Sequence, residues 1–226
     1  PNFESKKIEE AVEIISKAKK PIFYIGGGCI NSGPKASELV SQFVEMTGAP
    51  ATMTLMGLGV LGSSHSNSLG MLGMHGMYEA NMAMNECDVM INIGARFDDR
   101  VTGRLDAFSP NSKKIHIDID ESNINKTIKV DVPVVGDVTS VLSKIIKIWK
   151  DKKLKTNKSD IKLWWDKINN WKKVDCLNFT NNEKEIKPQY AVQRLYELTK
   201  DKKTFITTEV GQHQMWAAQF YKFEKP

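Results

Sequence analysis

Cys87-Asp-Val-Met-Ile-Asn-Ile-Gly-Ala-Arg-Phe-Asp-Asp-Arg-Val-Thr-Gly103 is the stretch on which the fold turns. Residues 88–93 are short, apolar and β-branched with a single asparagine, which suits a central parallel strand covered on both faces. The run stops at Gly94, and Arg96, Asp98, Asp99 and Arg100 follow at once. Glycine lets a ligand or another backbone approach closely. The charges then stand outside the carboxyl end of a strand, where open α/β sheets bind ligands. A salt-bridged surface loop is the plainer reading of the same residues.

Outward from this strand, helix-like and strand-like patterns alternate through the first 140 or so residues, as in a doubly wound, mostly parallel α/β sheet. Ile8, Val12, Ile15 and Ala18 recur at helical spacing within a helix expected over 5–19. A strand over 22–25 closes on Gly26-Gly27-Gly28, and a helix over 34–47 turns Leu39, Val40, Phe43 and Met46 inward. A strand over 51–54 precedes a glycine-rich region, 57–76, long enough to be a binding loop. A helix over 77–86 leads back to the opening strand. Strands over 114–119 and 132–135 and a helix over 138–150 complete the unit. We expect a first domain over 1–150, a linker over 151–187 carrying a helix at about 160–172, and the start of a second α/β domain over 188–226. In that last part a helix over 189–200 precedes a strand over 204–207. Trp149, Trp164, Trp165 and Trp171, four of the five tryptophans, suggest a face packed on a neighbour.

With 226 residues, 41% hydrophobic and 26% charged, the composition is that of an ordinary globular chain. No run of about 18 apolar residues exists, so neither a membrane span nor membrane binding is expected. The net charge of +5 comes from lysines concentrated over 144–173 and 184–203 without aromatic interleaving, which argues for a solvated surface and against nucleic-acid binding. Cys29, Cys87 and Cys176 are odd in number and lack metal-ligand spacing, so a reducing compartment is the default and no metal site is expected within the chain. The chain opens on Pro1 without a signal-like segment and is expected to be a piece of a longer protein.

Four constellations gather at strand ends. Gly26-Gly27-Gly28 offers either amides for a ligand or a tight packing turn. Thr54-Leu-Met-Gly-Leu-Gly59 presents a hydroxyl and amides beside apolar side chains. Gly70-Met-Leu-Gly-Met-His-Gly76 exposes backbone and projects Met74 and His75. Nine of the ten methionines lie between Met46 and Met90, a lining for a flat polarisable ring or plain core filling. The fourth joins residues 94–100 to Asp118, which ends the next strand. An acidic residue there can accept from ribose or adenine while arginine neutralises a diphosphate. The GxGxxG fingerprint is absent, which disfavours an ordinary NAD enzyme. No Ser or Cys elbow accompanies His65, His75, His116 or His213.

Taken together, Thr54-Leu-Met-Gly-Leu-Gly59, Leu72-Gly-Met-His-Gly76, Gly94-Ala-Arg-Phe-Asp-Asp-Arg-Val-Thr-Gly103, His116-Ile-Asp-Ile-Asp120, Val135-Gly-Asp137 and Gly211-Gln-His-Gln-Met-Trp-Ala-Ala-Gln-Phe-Tyr221 closely resemble the catalytic (large) subunits of the acetolactate synthase (acetohydroxyacid synthase) family, thiamine-diphosphate enzymes. The motifs stand in the family's order and leave only the lysine- and asparagine-rich stretch near 150–187 uninformative. The resemblance implies the central FAD-binding domain of a three-domain chain, Rossmann-like in architecture, plus the opening of the diphosphate-binding domain.

It implies FAD contacts at Gly27, Thr54, Leu55, Met56, Gly57, Leu72, Gly73, Met74, His75, Gly94, Ala95, Arg96, Phe97, Asp98, Asp118, Ile119, Asp137 and Val138. Gln212 and His213 are implied near the phosphates of thiamine diphosphate, and Met74, Asp99 and Arg100 along a substrate channel. The implied reaction decarboxylates pyruvate and passes the two-carbon unit to a second 2-keto acid, pyruvate or 2-ketobutyrate, opening branched-chain amino-acid synthesis. No catalytic residue is assigned within this chain. The family's glutamate and its magnesium motif are expected outside the 226 residues, Glu209 does not match that glutamate, and the fragment alone is expected to be inactive. FAD, thiamine diphosphate and Mg2+, a homodimer or tetramer, a regulatory small subunit and a bacterial cytoplasmic or plastid location are all implied in the same way. The alternatives are another thiamine-diphosphate carboligase or oxidase and a non-catalytic nucleotide-binding module.

Overall fold

A computed structural model describes residues 5–226. Helix α1 (Ser5–Ser16) leads into β1 (Pro21–Ile25), and a single turn α2 (Gly28–Asn31) precedes α3 (Pro34–Thr47) and β2 (Ala51–Met53). Next come β3 (Ser68–Met71), α4 (Tyr78–Glu86), β4 (Val89–Ile93), the short α5 (Asp99–Thr102), β5 (Lys113–Asp118), β6 (Val132–Val135) and α6 (Val138–Asp151). Helices α7 (Lys158–Lys172), α8 (Pro188–Thr199) and α9 (Gln212–Phe220) follow.

The six strands form one parallel sheet in the order β3-β2-β1-β4-β5-β6. The chain therefore reverses its direction of travel between β1 and β4, and the carboxyl ends of those two strands are where open α/β sheets form a ligand crevice. Helices α1, α3 and α6 cover one face, packing on Phe23, Ile25, Ile91, Ile93, Ile115 and Ile117. Helices α4 and α7 cover the other, packing on Ile22, Tyr24 and Met90. Both faces of the central strands are thus dry, which is why residues 89–93 read as an unbroken apolar run.

Two expectations for the chain's path are corrected. The glycine-rich region over 57–76 contains β3, a sixth strand added at the β2 edge. Ser68, Gly70 and a positive φ of 73° at Gly70 gave it none of the composition of a strand. The strand expected over 204–207 does not form: these residues pair with no other backbone among the described residues, and Phe205 is 78% exposed. Strand geometry is held by a partner's hydrogen bonds, so β-branched and aromatic composition alone leaves the segment irregular. In the region read as a linker, α7 is docked on the sheet unit. Trp164 is buried and donates Nε1–H to the Pro21 carbonyl at 3.1 Å, and Trp165 donates to that of Gly48 at 2.9 Å.

Candidate functional site

At the crevice two loops interlock backbone to backbone. Gly26 N–H donates to Ile93 O and Gly28 N–H to Gly94 O, each at 2.9 Å. A Cβ on Gly26 would stand 2.3 Å from Gly94 O, and one on Gly28 would stand 2.7 Å from Gly94 Cα. Gly94 itself has φ of +62°, where a side chain is strained. Two of the three glycines therefore serve packing. Only the amide of Gly27 donates to no protein group among the described residues.

The loop over 94–98 is held from beneath by three buried side chains. Asn92 brackets Ala95, donating to its carbonyl at 2.8 Å and accepting from its amide at 3.1 Å. His116 Nε2 lies 3.1 Å from the same carbonyl and 3.6 Å from Asp118 Oδ2, so the ring proton is assigned to Nε2. Tyr24 donates its hydroxyl to Arg96 O at 2.9 Å, and burial lifts its pKa well above the usual phenol value. Phe97 fills the space above, its ring against Tyr24, Phe108 and His116. Arg96 and Asp98 stay exposed and pair with each other at 3.1 Å. The sequence marks Asn92 as the lone asparagine of β4 and His116 as the first residue of a motif of the resemblance, but assigns neither a site role. Their signal was polarity inside runs that had to be buried.

Asp118, at the tip of β5, is nearly buried. Burial by itself would raise its pKa, but the nearby His116 ring and hydrogen bonds from the Asp120 amide and Asn123 outweigh that and hold the carboxyl below its ordinary value. Ile119 beside it is exposed. Asp137 caps α6, accepting from Ser140 N–H at 3.0 Å and from the Ser32 hydroxyl at 2.5 Å. Although partial burial would raise its pKa, these bonds leave it lowered. The side chain of Val138 is buried in the core, so only its backbone faces the edge.

On the β2–β3 side, Thr54 and Leu55 are half-buried, Gly57 is tucked under Ile25 O, and Met56 is 72% exposed. Leu72 is buried, Gly73 is bracketed by Asn81 through 2.8 and 2.9 Å bonds, and Met74 N–H donates to Arg100 O at 2.8 Å. Met74, Asp99 and Arg100 therefore line one cavity of about 420 Å3, with α4 forming its far wall. His75 is exposed and its carbonyl receives Gln219 of α9 at 2.7 Å. Gln212 and His213 open α9 as exposed side chains, and Gln214 beside them lines one cavity with Leu55 and Met56. Among the described residues no group of three or more His, Cys, Asp or Glu is placed to hold a metal ion.

The residues singled out on 72–75, 54–57, 27, 94–98, 118–119 and 137–138 thus sit, in that spatial order, at the ends of all six strands. With strands about 4.8 Å apart the edge is about 24 Å long, so a ligand meeting all of it has the length of a dinucleotide. Amides of Gly27, Met56, Arg96, Phe97 and Ile119 along it donate to no protein group among the described residues.

A family model described as the thiamine pyrophosphate enzyme, central domain, matches residues 8–145. The acetolactate synthase large subunit of Buchnera aphidicola subsp. Schizaphis graminum is 46% identical over 220 residues, covering 97% of this chain and 38% of its own length. The acetolactate synthase isozyme 3 large subunit of Escherichia coli K12 is 41% identical over 220 residues, with the same shares covered. The chloroplastic acetolactate synthase of Arabidopsis thaliana is 45% identical over 223 residues, covering 99% of this chain and 32% of its own. The chain thus spans roughly a third to two fifths of the length of these relatives. No helix of the described residues is long and apolar enough to cross a membrane.

Proposed function

We propose, on the premise that this chain belongs to the thiamine pyrophosphate enzyme family through its central domain, that it forms the flavin-holding core of an acetolactate synthase large subunit. The observation that carries this reading is the six-strand edge, where five of the six loops beyond strand ends hold a motif of the resemblance and the sixth, after β1, holds Gly27. Its features suit FAD: a dinucleotide's length, free amides, the guanidinium of Arg96, the lowered carboxyl of Asp118, and the exposed apolar side chains of Met56, Met74 and Ile119. Gly27, Met56, Arg96, Phe97, Asp98 and Asp118 would hold it, with Asp137 supporting the edge as a cap.

The reaction of the whole enzyme is the decarboxylation of pyruvate and transfer of the two-carbon unit to pyruvate or 2-ketobutyrate. Thiamine diphosphate supplies the electron sink for that chemistry when bound. Gln212 and His213 at the start of α9 are the residues of this chain offered to its phosphates, while the described residues provide no magnesium site. Arg100 has the chain's most direct part in substrate handling. Its exposed guanidinium, 3.7 Å from Asp99, can grip a 2-keto acid carboxylate in bidentate fashion at the mouth of the 420 Å3 cavity. Asp99 stands beside that guanidinium, and Met74 adds an apolar side chain to the same cavity lining for the methyl end. A homodimer or tetramer, a regulatory small subunit, and a cytoplasmic or plastid setting belong to the same proposal.

The test is an absorption spectrum of the purified chain after FAD loading and gel filtration. Co-eluting flavin bands are the expected result. A colourless protein that binds ADP alone would point to a nucleotide-binding module instead. The chain alone is expected to make no acetolactate from pyruvate, and turnover free of host enzyme would refute that part.

A further inference from the structure

Residues Tyr24, Asn92 and His116 are cross-strand neighbours, Tyr24 opposite Asn92 and Asn92 opposite His116, with Thr52 opposite Tyr24 at the end of the row. All four lie on the sheet face covered by α4 and α7, and all four are fully buried. Polar groups in such a place are costly unless bonded, and aliphatic residues would fill a parallel sheet better. Here three of the four spend their hydrogen bonds on the same loop, at the carbonyls of Ala95 and Arg96 and the amide of Ala95.

We propose that Tyr24, Asn92 and His116 are positioning residues that set the ligand-facing side of the loop over 94–98, an inference that rests on the flavin reading above. The chain contains no cis peptide among the described residues. In a trans peptide the carbonyl of one residue and the N–H of the next point in opposite directions. Drawing Ala95 O inward turns the Arg96 N–H outward, and drawing Arg96 O inward does the same for the Phe97 N–H. Both amides donate to no protein group among the described residues. The row thereby presents two consecutive donors to an acceptor oxygen of the dinucleotide, either on its diphosphate or on its isoalloxazine ring. Phe97, wedged against Tyr24 and His116, keeps the turned peptides from relaxing.

The experiment compares Tyr24→Phe, His116→Phe and His116→Gln with Thr52→Val in the whole chain, titrating FAD, riboflavin and ADP by flavin quenching or calorimetry and recording Tm for each variant. Thr52 is the control because it is equally buried in the row but bonds Gly70 O in β3, at 2.9 Å. Loss of one hydrogen bond to the loop is expected to weaken FAD about fivefold to tenfold. His116→Gln, which restores a donor, recovers most of the loss, and Thr52→Val leaves FAD affinity within about twofold. A loss shared with ADP assigns the acceptor oxygen to the diphosphate, and one shared with riboflavin assigns it to the ring. Affinity that tracks Tm alone, with Thr52→Val no different from Tyr24→Phe, overturns the proposal. If the unaltered chain binds no FAD, the flavin reading itself fails. Amide exchange over 94–98 then decides the positioning separately: faster exchange at Ala95 in Asn92→Leu supports it, and unchanged exchange overturns it.

Discussion

Asn92 reaches past Gly94 to hold both backbone groups of Ala95, giving Nδ2–H to the carbonyl at 2.8 Å and taking the amide on Oδ1 at 3.1 Å. A side chain of one strand thus behaves as the next residue of a ladder that has already ended. In Asn92→Leu the Ala95 carbonyl keeps His116, but the buried amide has no partner. The expected cost is about 1–3 kcal/mol, read from urea unfolding with an unchanged denaturant slope. A change below about 0.5 kcal/mol would show that the bracket is dispensable.

The glycine triplet separates into two kinds of position. Gly26→Ala would press a methyl onto the Gly94 carbonyl, backbone against backbone, with nothing flexible to yield. We expect it to destabilise by about 3 kcal/mol or more. Gly27 has φ of −62° and its Cβ would meet Met56 at 3.1 Å, so Gly27→Ala stays within about 1 kcal/mol. Thermal unfolding of the pair tests the ranking, and equal effects would contradict it.

Acid sensitivity follows from Asp118 and Asp137. Both carboxyls titrate below their ordinary value of 3.8. Their folded-state pKa being depressed, each contributes stability that is complete above the unfolded value and lost as pH falls through the folded one. Stability should therefore decline below about pH 4, and Asp137→Asn should flatten that decline while lowering stability at neutral pH, where the cap of α6 is intact. Unfolding free energy measured from pH 7 to pH 2 checks this. An unaltered acid limb in the variant would refute it.

Thiol chemistry separates the three cysteines. Burial pushes Cys29 up to about 12 and Cys87 up to about 11, and both are enclosed, whereas Cys176 is exposed. Maleimide labelling at pH 7 is expected to modify Cys176 alone in the native protein and all three in denaturant. Rapid native labelling of Cys87 would mean that the turn over 109–112 opens in solution.

Much of the fold was legible because it is written in local periodicity. The bounds of α3 and β6 match their expected ranges, and the central strand differs by a single residue, since the 3.6- and 2-residue repeats and the flanking glycines mark them. The loops after β1, β2 and β4 were also legible, each as a polar or glycine-rich break after an apolar run, whereas the strand before the loop over 72–75 was not. Segment 204–207 shows where that reasoning stops. Its β-branched and aromatic composition is real, yet no neighbouring backbone among the described residues makes it a strand.

The sequence by itself determined an α/β chain with charged loops beyond its strand ends, because burial on two faces and chain reversal leave their mark residue by residue. Tertiary structure alone decided how those loops are held. The opposition of Gly26 and Gly28 to Gly94, and the alignment of Tyr24, Asn92 and His116 in one row, are matters of strand order and register. Such relations join residues far apart along the chain, and no local pattern encodes them. They convert a charged segment after a strand into a rigid loop with its carbonyls turned in and its amides turned out.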